Sequence, residues 1–200
     1  MKRTLVAKGT VESVLMTPHN QATSEQQTVL PVSHAYGLSG DRHSGGYVVS
    51  GHDDDLLSLG FTKGTPAANL RQFSMVSTEE LAAIAEEMQL PGSVMPPGLL
   101  GENIVVSGIA DLTSTLKAGS LLCFTRRNTD MPQAALLVTG PNEPCGHPHA
   151  NIVAHFGGPA EFKARMPFLK AAAGRRGVVG LVRVGGGIEP GDTMQVWAVA

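Results

Sequence analysis

Glycine and proline punctuate this chain so often that few long helices can form. The 200 residues include 24 glycines and 13 prolines. Glycine interrupts regular elements through its backbone freedom, and proline does so through its fixed φ and its missing N–H. The runs between them are rich in Val, Ile, Leu, Thr and Phe, which is typical of strands. The sequence therefore predicts a mainly-β fold of many short strands joined by turns.

Eight runs have the composition and the boundaries of strands. They are 4–16 (with a turn near Lys8 and Gly9), 28–32, 71–76, 104–106, 120–124, 134–139, 178–184 and 193–199. Two further runs are predicted to be helical. The first begins at Ser77 or Thr78 and ends at 91–92, and the second spans about 159–173 with a kink or break at Pro167. Between the elements, residues 43–69 are predicted to form an irregular loop or insertion, either over a barrel mouth or as surface decoration.

Length, charge and hydropathy restrict the class of protein. Two hundred residues with 42% hydrophobic composition fit a single domain over 1–200. A net charge of -2 without a basic stripe gives no reason to expect nucleic acid. The longest apolar run, near residues 134–138, is too short to span a bilayer, and no signal-peptide core develops near the N-terminus. We therefore expect a cytoplasmic protein that contacts neither membrane nor nucleic acid.

The two cysteines have different surroundings, and Cys145 is the stronger candidate for chemistry. Cys123 lies in an apolar run where a thiol packs like a small hydrophobe. Cys145 lies between Pro144 and Gly146 in a predicted loop, where its sulfur could bind a metal or metal cofactor, or carry sulfur as a nucleophile. A turn cysteine without a role is the alternative. A zinc site with His147 and His149 is disfavoured because no fourth ligand is evident.

Three other segments combine turn-forming glycines with polar side chains. The first contains Gly40, Asp41, Arg42 and His43, and Arg42 offers a planar fork for phosphate or carboxylate. The second contains Gly101, Glu102 and Asn103 before a strand, and could hold a phosphate or a pterin edge. The third is 175–177, a small basic spot that binds an anion or offsets a helix dipole. For the first two segments, a purely structural turn is the alternative.

Taken in chain order, these segments resemble the MOSC family, named for the C-terminal domain of molybdenum cofactor sulfurases. The matching landmarks span about residues 37–192. They are Gly37-Leu38-x-Gly40-Asp41-Arg42-His43, Arg71-Gln72, Pro97-Gly98, Gly101-Glu102-Asn103, Leu116-x-x-Gly119, Glu143-Pro144-Cys145, Gly174-Arg175-x-Gly177 and Pro190-Gly191-Asp192.

The resemblance implies a fold and a site. The fold is a bent, mostly antiparallel β-barrel with a few short helices. The cofactor is the molybdenum cofactor, a molybdopterin, and Cys145 is either its metal ligand or an acceptor of sulfur. The segments around Gly40 and Gly101 then lie near the cofactor pocket, and Arg42, Arg71 and Arg175 hold its phosphate or pterin.

Three functions follow from the resemblance as hypotheses. The first is a molybdoenzyme that reduces N-oxygenated small molecules with electrons from a separate donor protein. The second is a sulfur carrier or cofactor-delivery protein that receives sulfur from a donor such as the pyridoxal-phosphate sulfurase found fused to some family members. The third is a small-molecule binding module without catalysis.

Overall fold

A closed barrel of strands carries the helices on its outside. The computed structural model describes residues 2–49, 55–157 and 165–199. Within these ranges the strands are β1 Arg3–Met16, β2 Glu25–Gln27, β3 Leu30–Ser33, β4 Gly37–Leu38, β5 Tyr47–Val49, β6 Pro66–Ala68, β7 Phe73–Ser77, β8 Ile104–Ser107, β9 Leu121–Thr125, β10 Pro132–Pro141, β11 Val178–Val184, β12 Gly186–Ile188 and β13 Thr193–Val199. The helices are α1 Asp55–Ser58, α2 Thr78–Glu87, α3 Leu112–Thr115, α4 His147–Phe156 and α5 Arg165–Ala171, with a 3₁₀ turn at Pro91–Ser93.

Seven strands form the barrel, in the order β13-β9-β10-β11-β7-β8-β1, and pairing of β1 with β13 closes it. The pair β7–β8 is parallel and its neighbours in the barrel are antiparallel. The predicted mainly-β barrel with a few short helices is therefore confirmed, with one parallel pair in it.

The first strand, β1, bends around the barrel and pairs with two neighbouring strands. Its first part pairs with β13 and its second part with β8. The register shifts between Leu5 and Ala7 and again between Val11 and Ser13, and such bulges bend a strand. The turn predicted near Lys8 and Gly9 is wrong. A Cβ on Gly9 would lie 2.7 Å from the Ser107 carbonyl oxygen, so this glycine permits a close backbone approach within a continuous strand.

Two hydrophobic clusters hold the molecule together. One fills the barrel and includes the fully buried Phe124 and Leu136. The other lies between the barrel wall and the helices, where Ile84 of α2, Ile152 of α4 and Phe168 of α5 pack together. Because α4 packs into this second cluster, the segment that precedes it has a defined position against the barrel.

The helices agree with the sequence in part. The hydroxyl of Ser77 accepts a hydrogen bond from the backbone N–H of Glu80, so the predicted N-cap of α2 is confirmed. The helix ends at Glu87, before the predicted stop at 91–92. Pro167 lies in the first turn of α5, where proline is tolerated, and residues 158–164 of the second predicted helix lie outside the described residues. Helix α4 was not predicted.

The segment 43–69 contains more regular structure than predicted. Strands β5 and β6 pair antiparallel, with Val48 opposite Ala67, and α1 lies between them in sequence. Asn69 ties this pair to the preceding chain, because its side-chain amide donates to the carbonyls of His43 (2.8 Å) and Gly45 (2.9 Å). Residues 50–54 of this segment lie outside the described residues.

In the part of the chain that the structure describes, no helix is long and apolar enough to cross a membrane.

Candidate functional site

Cys145 lies in the short connection between β10 and α4. The backbone N–H of Asn142 donates to the carbonyl of Gly177 at 2.8 Å, which ties this connection to the start of β11. Gly146 is the N-cap of α4, and Pro148 lies in the first turn. Cys145 is half-buried and is a free thiol, as is Cys123. The positive end of α4 therefore lies next to Cys145, where it favours an anionic group.

Two arginines from different parts of the chain interact electrostatically with this thiol. Arg71 precedes β7, and Arg176 precedes β11. Burial lowers the pKa of Arg71, and negative charge at Cys145 acts against that change. For Arg176, burial lowers the pKa to about 10, and Cys145 again opposes the effect. The fold therefore places two desolvated guanidinium groups beside one cysteine.

These guanidinium groups retain unused hydrogen-bond donors. Arg176 is 4% exposed, and its Nη2 donates to the carbonyl of Leu100 at 2.8 Å. Its Nε and Nη1, together with Nε of Arg71, are buried and have no hydrogen-bond partner among the described residues. Unpaired donors on a buried cation cost several kcal/mol unless an anion or acceptor satisfies them. The arrangement thus fits an anionic group beside Cys145.

Arg42 and His43 adjoin the same group. Arg42 Nε donates to Nε2 of His43 at 3.0 Å, and Arg42 Nη1 donates to the carbonyl of Gln21 at 3.3 Å. Burial and the neighbouring charges of Arg71 and Arg42 together lower the pKa of His43 from 6.5 to about 4. His43 is therefore neutral near pH 7, and because its Nε2 accepts a hydrogen bond, its proton is on Nδ1.

Asp41 and Asn103 hold the surrounding loops together. Asp41 is fully buried, and its carboxylate accepts from the backbone N–H groups of Thr17 (2.7 Å) and His43 (2.8 Å) and from the side-chain amide of Asn103 (2.8 Å). The Asn103 side-chain oxygen accepts from the N–H of Ser74 at 3.0 Å. Both residues were predicted to contact a cofactor, and the structure uses their polar atoms to fix the positions of Arg42 and His43.

Glu102 and the two predicted glycines also have structural roles. The buried carboxylate of Glu102 accepts from the N–H groups of Gly98 (2.6 Å) and Leu100 (3.1 Å), and burial raises its pKa. Gly40 and Gly101 adopt φ of 93° and 74°, a region that favours glycine. Arg176 is linked to this turn through the Leu100 carbonyl. The hydrogen bond to Leu100 therefore holds Arg176 in place against this turn.

Arg175 does not join the group around Cys145. Its Nη1 lies 2.7 Å from Oε2 of Glu87 at the end of α2, and 45% of its side chain is exposed. The buried neighbour Arg176 takes the position that the sequence analysis gave to Arg175. Motif spacing could not show which of the two adjacent arginines is buried. That depends on the path of the chain after α5.

Two further polar groups near Cys145 are buried. His149, in the first turn of α4, is 7% exposed, and neither ring nitrogen has a hydrogen-bond partner among the described residues. The side-chain oxygen of Asn142 is also buried and unpaired there. The sequence analysis did not single out Asn142 and considered His149 only as a zinc ligand with His147. The burial of His149 comes from helix α4, which was not predicted.

The donor set suits one sulfur ligand better than a polydentate metal site. Among the described residues, no group of three His, Cys, Asp or Glu side chains could hold a metal ion. Cys145 with its flanking arginines instead offers a soft sulfur and two positively charged hydrogen-bond donors. A metal that brings its own anionic ligand, such as a phosphorylated pterin dithiolene, matches that combination.

The barrel and this cysteine-centred site define a protein class. The family model described as the MOSC domain matches residues 51–195 of the chain. The chain therefore belongs to the MOSC domain family, which is associated with molybdenum cofactor sulfurases.

Known relatives agree with that assignment. The chain is 38% identical over 160 residues, 80% of its length and 76% of the relative's, to YuaD of Bacillus subtilis (strain 168), whose name suggests a role in metal-sulfur cluster biosynthesis. The crystal structure of YuaD from Bacillus subtilis matches with a TM-score of 0.83 and 32% identity, covering 100% of this chain and 99% of that one. YiiM from Escherichia coli shares the fold with a TM-score of 0.54 and 16% identity, covering 98% of this chain and 72% of that one.

Proposed function

We propose that this protein binds the molybdenum cofactor with Cys145 as its metal ligand, and that it reduces N-oxygenated compounds with electrons from a separate donor protein. One observation carries the proposal: two arginines, the half-buried Arg71 and the buried Arg176, interact electrostatically with one half-buried thiol and keep buried N–H groups that have no partner among the described residues. The positive charge of the arginines favours a bound anion, and the cysteine sulfur is a suitable ligand for a soft metal.

The residues divide the binding between them. The Cys145 sulfur would bond the metal, and the guanidinium groups of Arg71 and Arg176 would donate to the anionic oxygens of the cofactor. Arg42 holds His43 in one tautomer, so that His43 offers a neutral N–H donor at the edge of the site. Asp41 and Asn103 keep this edge in place through their buried hydrogen bonds.

The bound cofactor supplies a metal centre that exchanges electrons in pairs. Reduction of an N-hydroxyl group to an amine takes up two electrons and two protons and releases one water, and the donor protein delivers the electrons. The protein orients the N–O group through N–H donors that face it. Half-burial of the site limits competing contact with water.

A second function, sulfur transfer, is favoured by the suggested role of YuaD in metal-sulfur cluster biosynthesis. In this reaction the Cys145 thiolate attacks the outer sulfur of a donor persulfide. The S–S bond of the donor breaks, a persulfide forms on Cys145, and the donor leaves as a thiol. The same arginines would stabilise the anionic persulfide, so metal content and not geometry separates the two functions.

The deciding experiment is elemental analysis of protein expressed in a host that makes the cofactor. We expect near-stoichiometric molybdenum in the unaltered protein, little in Cys145→Ser, and a clear loss in Arg176→Gln. The matched control is Arg175→Gln, which should keep its molybdenum because Arg175 pairs with Glu87. Protein without molybdenum but with a persulfide on Cys145 would overturn the first function and support sulfur transfer.

A further inference from the structure

A cavity of about 540 Å³ lies under the β5–β6 pair. Its walls are mostly apolar and include Val48, Leu56, Ala67 and Leu70, while His43 and Arg71 also line it. Val48 and Leu70 are 41% and 56% exposed. Apolar side chains exposed in a concave space of this size are typical of small-molecule pockets.

The polar lining of the cavity belongs to the site described above. Arg71 has a buried Nε–H without a partner among the described residues. His43 accepts from Arg42 at Nε2, and no hydrogen bond to a described residue uses the proton on its Nδ1. One neutral N–H donor and one positive charge thus lie beside apolar walls. Asn69, which also lines the cavity, is already saturated: its amide donates to two carbonyls and its oxygen accepts from the N–H of Arg71.

We infer that this cavity is the substrate pocket, and that it selects compact molecules with an apolar, ring-sized body and a hydrogen-bond-accepting N–O head. The body packs against Val48, Ala67 and Leu70, and the head accepts from His43 beside the positive charge of Arg71. Arg71 lines the cavity and also interacts electrostatically with Cys145, so the head lies at the end of the cavity that adjoins the cysteine site. This inference rests on the proposed function for the identity of the head, whereas preference for an apolar body follows from the cavity alone.

The apolar walls argue against the cavity as the cofactor's own site. A pterin phosphate needs several donors around it, and burying a charged group against Val48, Leu56 and Ala67 would cost several kcal/mol. The cofactor is better placed on the other side of Arg71, where Arg176 adds its unpaired donors. The β5–β6 pair therefore sets substrate choice, and the barrel loops hold the cofactor.

The test uses two neutral oximes, benzaldoxime and acetaldoxime, which share a head and differ in the body. Binding is measured by ligand-observed NMR or calorimetry on the purified full chain. We expect benzaldoxime to bind about tenfold or more tightly than acetaldoxime, because the ring buries apolar area. Ala67→Phe fills the cavity and should weaken benzaldoxime binding at least tenfold. Val49→Phe is the matched control, since Val49 neighbours Val48 on β5 but does not line the cavity.

Leu70→Ser provides a second variant, because Leu70 is 56% exposed and its replacement should leave the fold intact. It too should weaken benzaldoxime binding and leave acetaldoxime binding unchanged. Equal binding of the two oximes, or unchanged benzaldoxime binding in both variants, would overturn the inference. So would loss of molybdenum in Ala67→Phe, since the cavity would then belong to the cofactor. The unaltered protein could also hold no molybdenum and still bind benzaldoxime selectively at this cavity. That result would contradict the proposed function and support the inference that the cavity binds molecules with an apolar body.

Discussion

At the residue scale, the position of Cys145 explains how the protein tolerates two arginines that are largely withdrawn from water. Burial lowers the pKa of Arg71 and of Arg176, which means that the fold disfavours their charged forms. A negative charge at the Cys145 sulfur, or on a group bound to it, acts against that change for both arginines. The site is therefore electrostatically suited to an anion beside Cys145.

The two cysteines should therefore react at different rates with iodoacetamide. Burial raises the pKa of Cys123, so its thiolate is scarce near neutral pH, whereas Cys145 faces two guanidinium groups. We expect Cys145 to be labelled at least tenfold faster at pH 7 in protein freed of any bound cofactor, as measured by mass spectrometry of tryptic peptides. Arg176→Gln should slow the labelling of Cys145 and leave Cys123 unchanged. Equal, slow labelling of both thiols would contradict a reactive Cys145.

The sequence identified part of this site because motifs are local. Asp41, Arg42, His43 and Cys145 stand in short segments whose residue types already limit their chemistry. Arg176 was passed over for Arg175, because burial depends on the path of the chain after α5 and not on residue type. His149 was considered only as a zinc ligand, because nothing in its neighbours required it to be buried.

At the scale of elements, two glycine turns show why the strands were predictable. Gly119 before β9 and Gly191 before β13 adopt φ of 87° and 89°. Each follows an apolar residue and two turn residues (Leu116 and Ile188 are the apolar ones), so the two segments form the same kind of turn. Strands β11 and β13 have the predicted bounds because turn residues delimit them. The strands β5 and β6 have three residues each and carry no alternating pattern, so nothing local predicted them. Helix α4 was missed because Pro148 and two histidines in its first turn are typical of a loop.

Gly177, which follows Arg176, should be intolerant of any side chain. Its φ is 78°, and a Cβ there would overlap the carbonyl of Met75 on the neighbouring β7. Gly174 also has a positive φ, 69°, but a Cβ there meets nothing within 4 Å. We expect Gly174→Ala to lower the free energy of unfolding by about 1 kcal/mol from backbone strain alone. Gly177→Ala should cost about 2–4 kcal/mol more. Urea denaturation measures both, and equal losses would show that the contact with β7 does not limit this turn.

At the scale of the whole molecule, barrel closure assembles the site from distant parts of the chain. Residues 41–43, 71, 145 and 176 meet because β7, β10 and β11 are neighbours in the barrel and because the 142–146 connection is tied to Gly177. Such pairings join residues far apart in sequence, so composition and spacing do not determine them. The presence of a barrel could be predicted from the strands. The identity of the arginines near Cys145 could be read only from the closed structure.

Assembly of so many charges in one place makes stability depend on pH. Burial and the charges of Arg71 and Arg42 lower the pKa of His43 from 6.5 to about 4. Between pH 6.5 and pH 4, His43 is protonated in the unfolded chain and neutral in the folded protein. The free energy of unfolding therefore falls as the pH decreases from about 6.5 to about 4. Burial raises the pKa of Glu80 and Glu102, and the stability that they contribute declines as pH rises. The dependence of the free energy of unfolding on pH is therefore a sum of opposing effects. The contribution of His43 is isolated only by comparing the unaltered protein with a variant that lacks His43.

Replacement of His43 by glutamine should remove this acid sensitivity. The glutamine side chain keeps an acceptor for Arg42 but has no titrating group. We expect the unaltered protein to lose about 1–2 kcal/mol more than His43→Gln between pH 7 and pH 4.5, a range that allows for solvent screening of a half-buried ring. Urea denaturation at the two pH values gives the difference, and His34→Gln, at an exposed position, should behave like the unaltered protein. Parallel pH profiles for the unaltered protein and His43→Gln would mean that His43 is protonated in the folded state as readily as in the unfolded one. That result would remove the neutral N–H donor from the proposed substrate pocket.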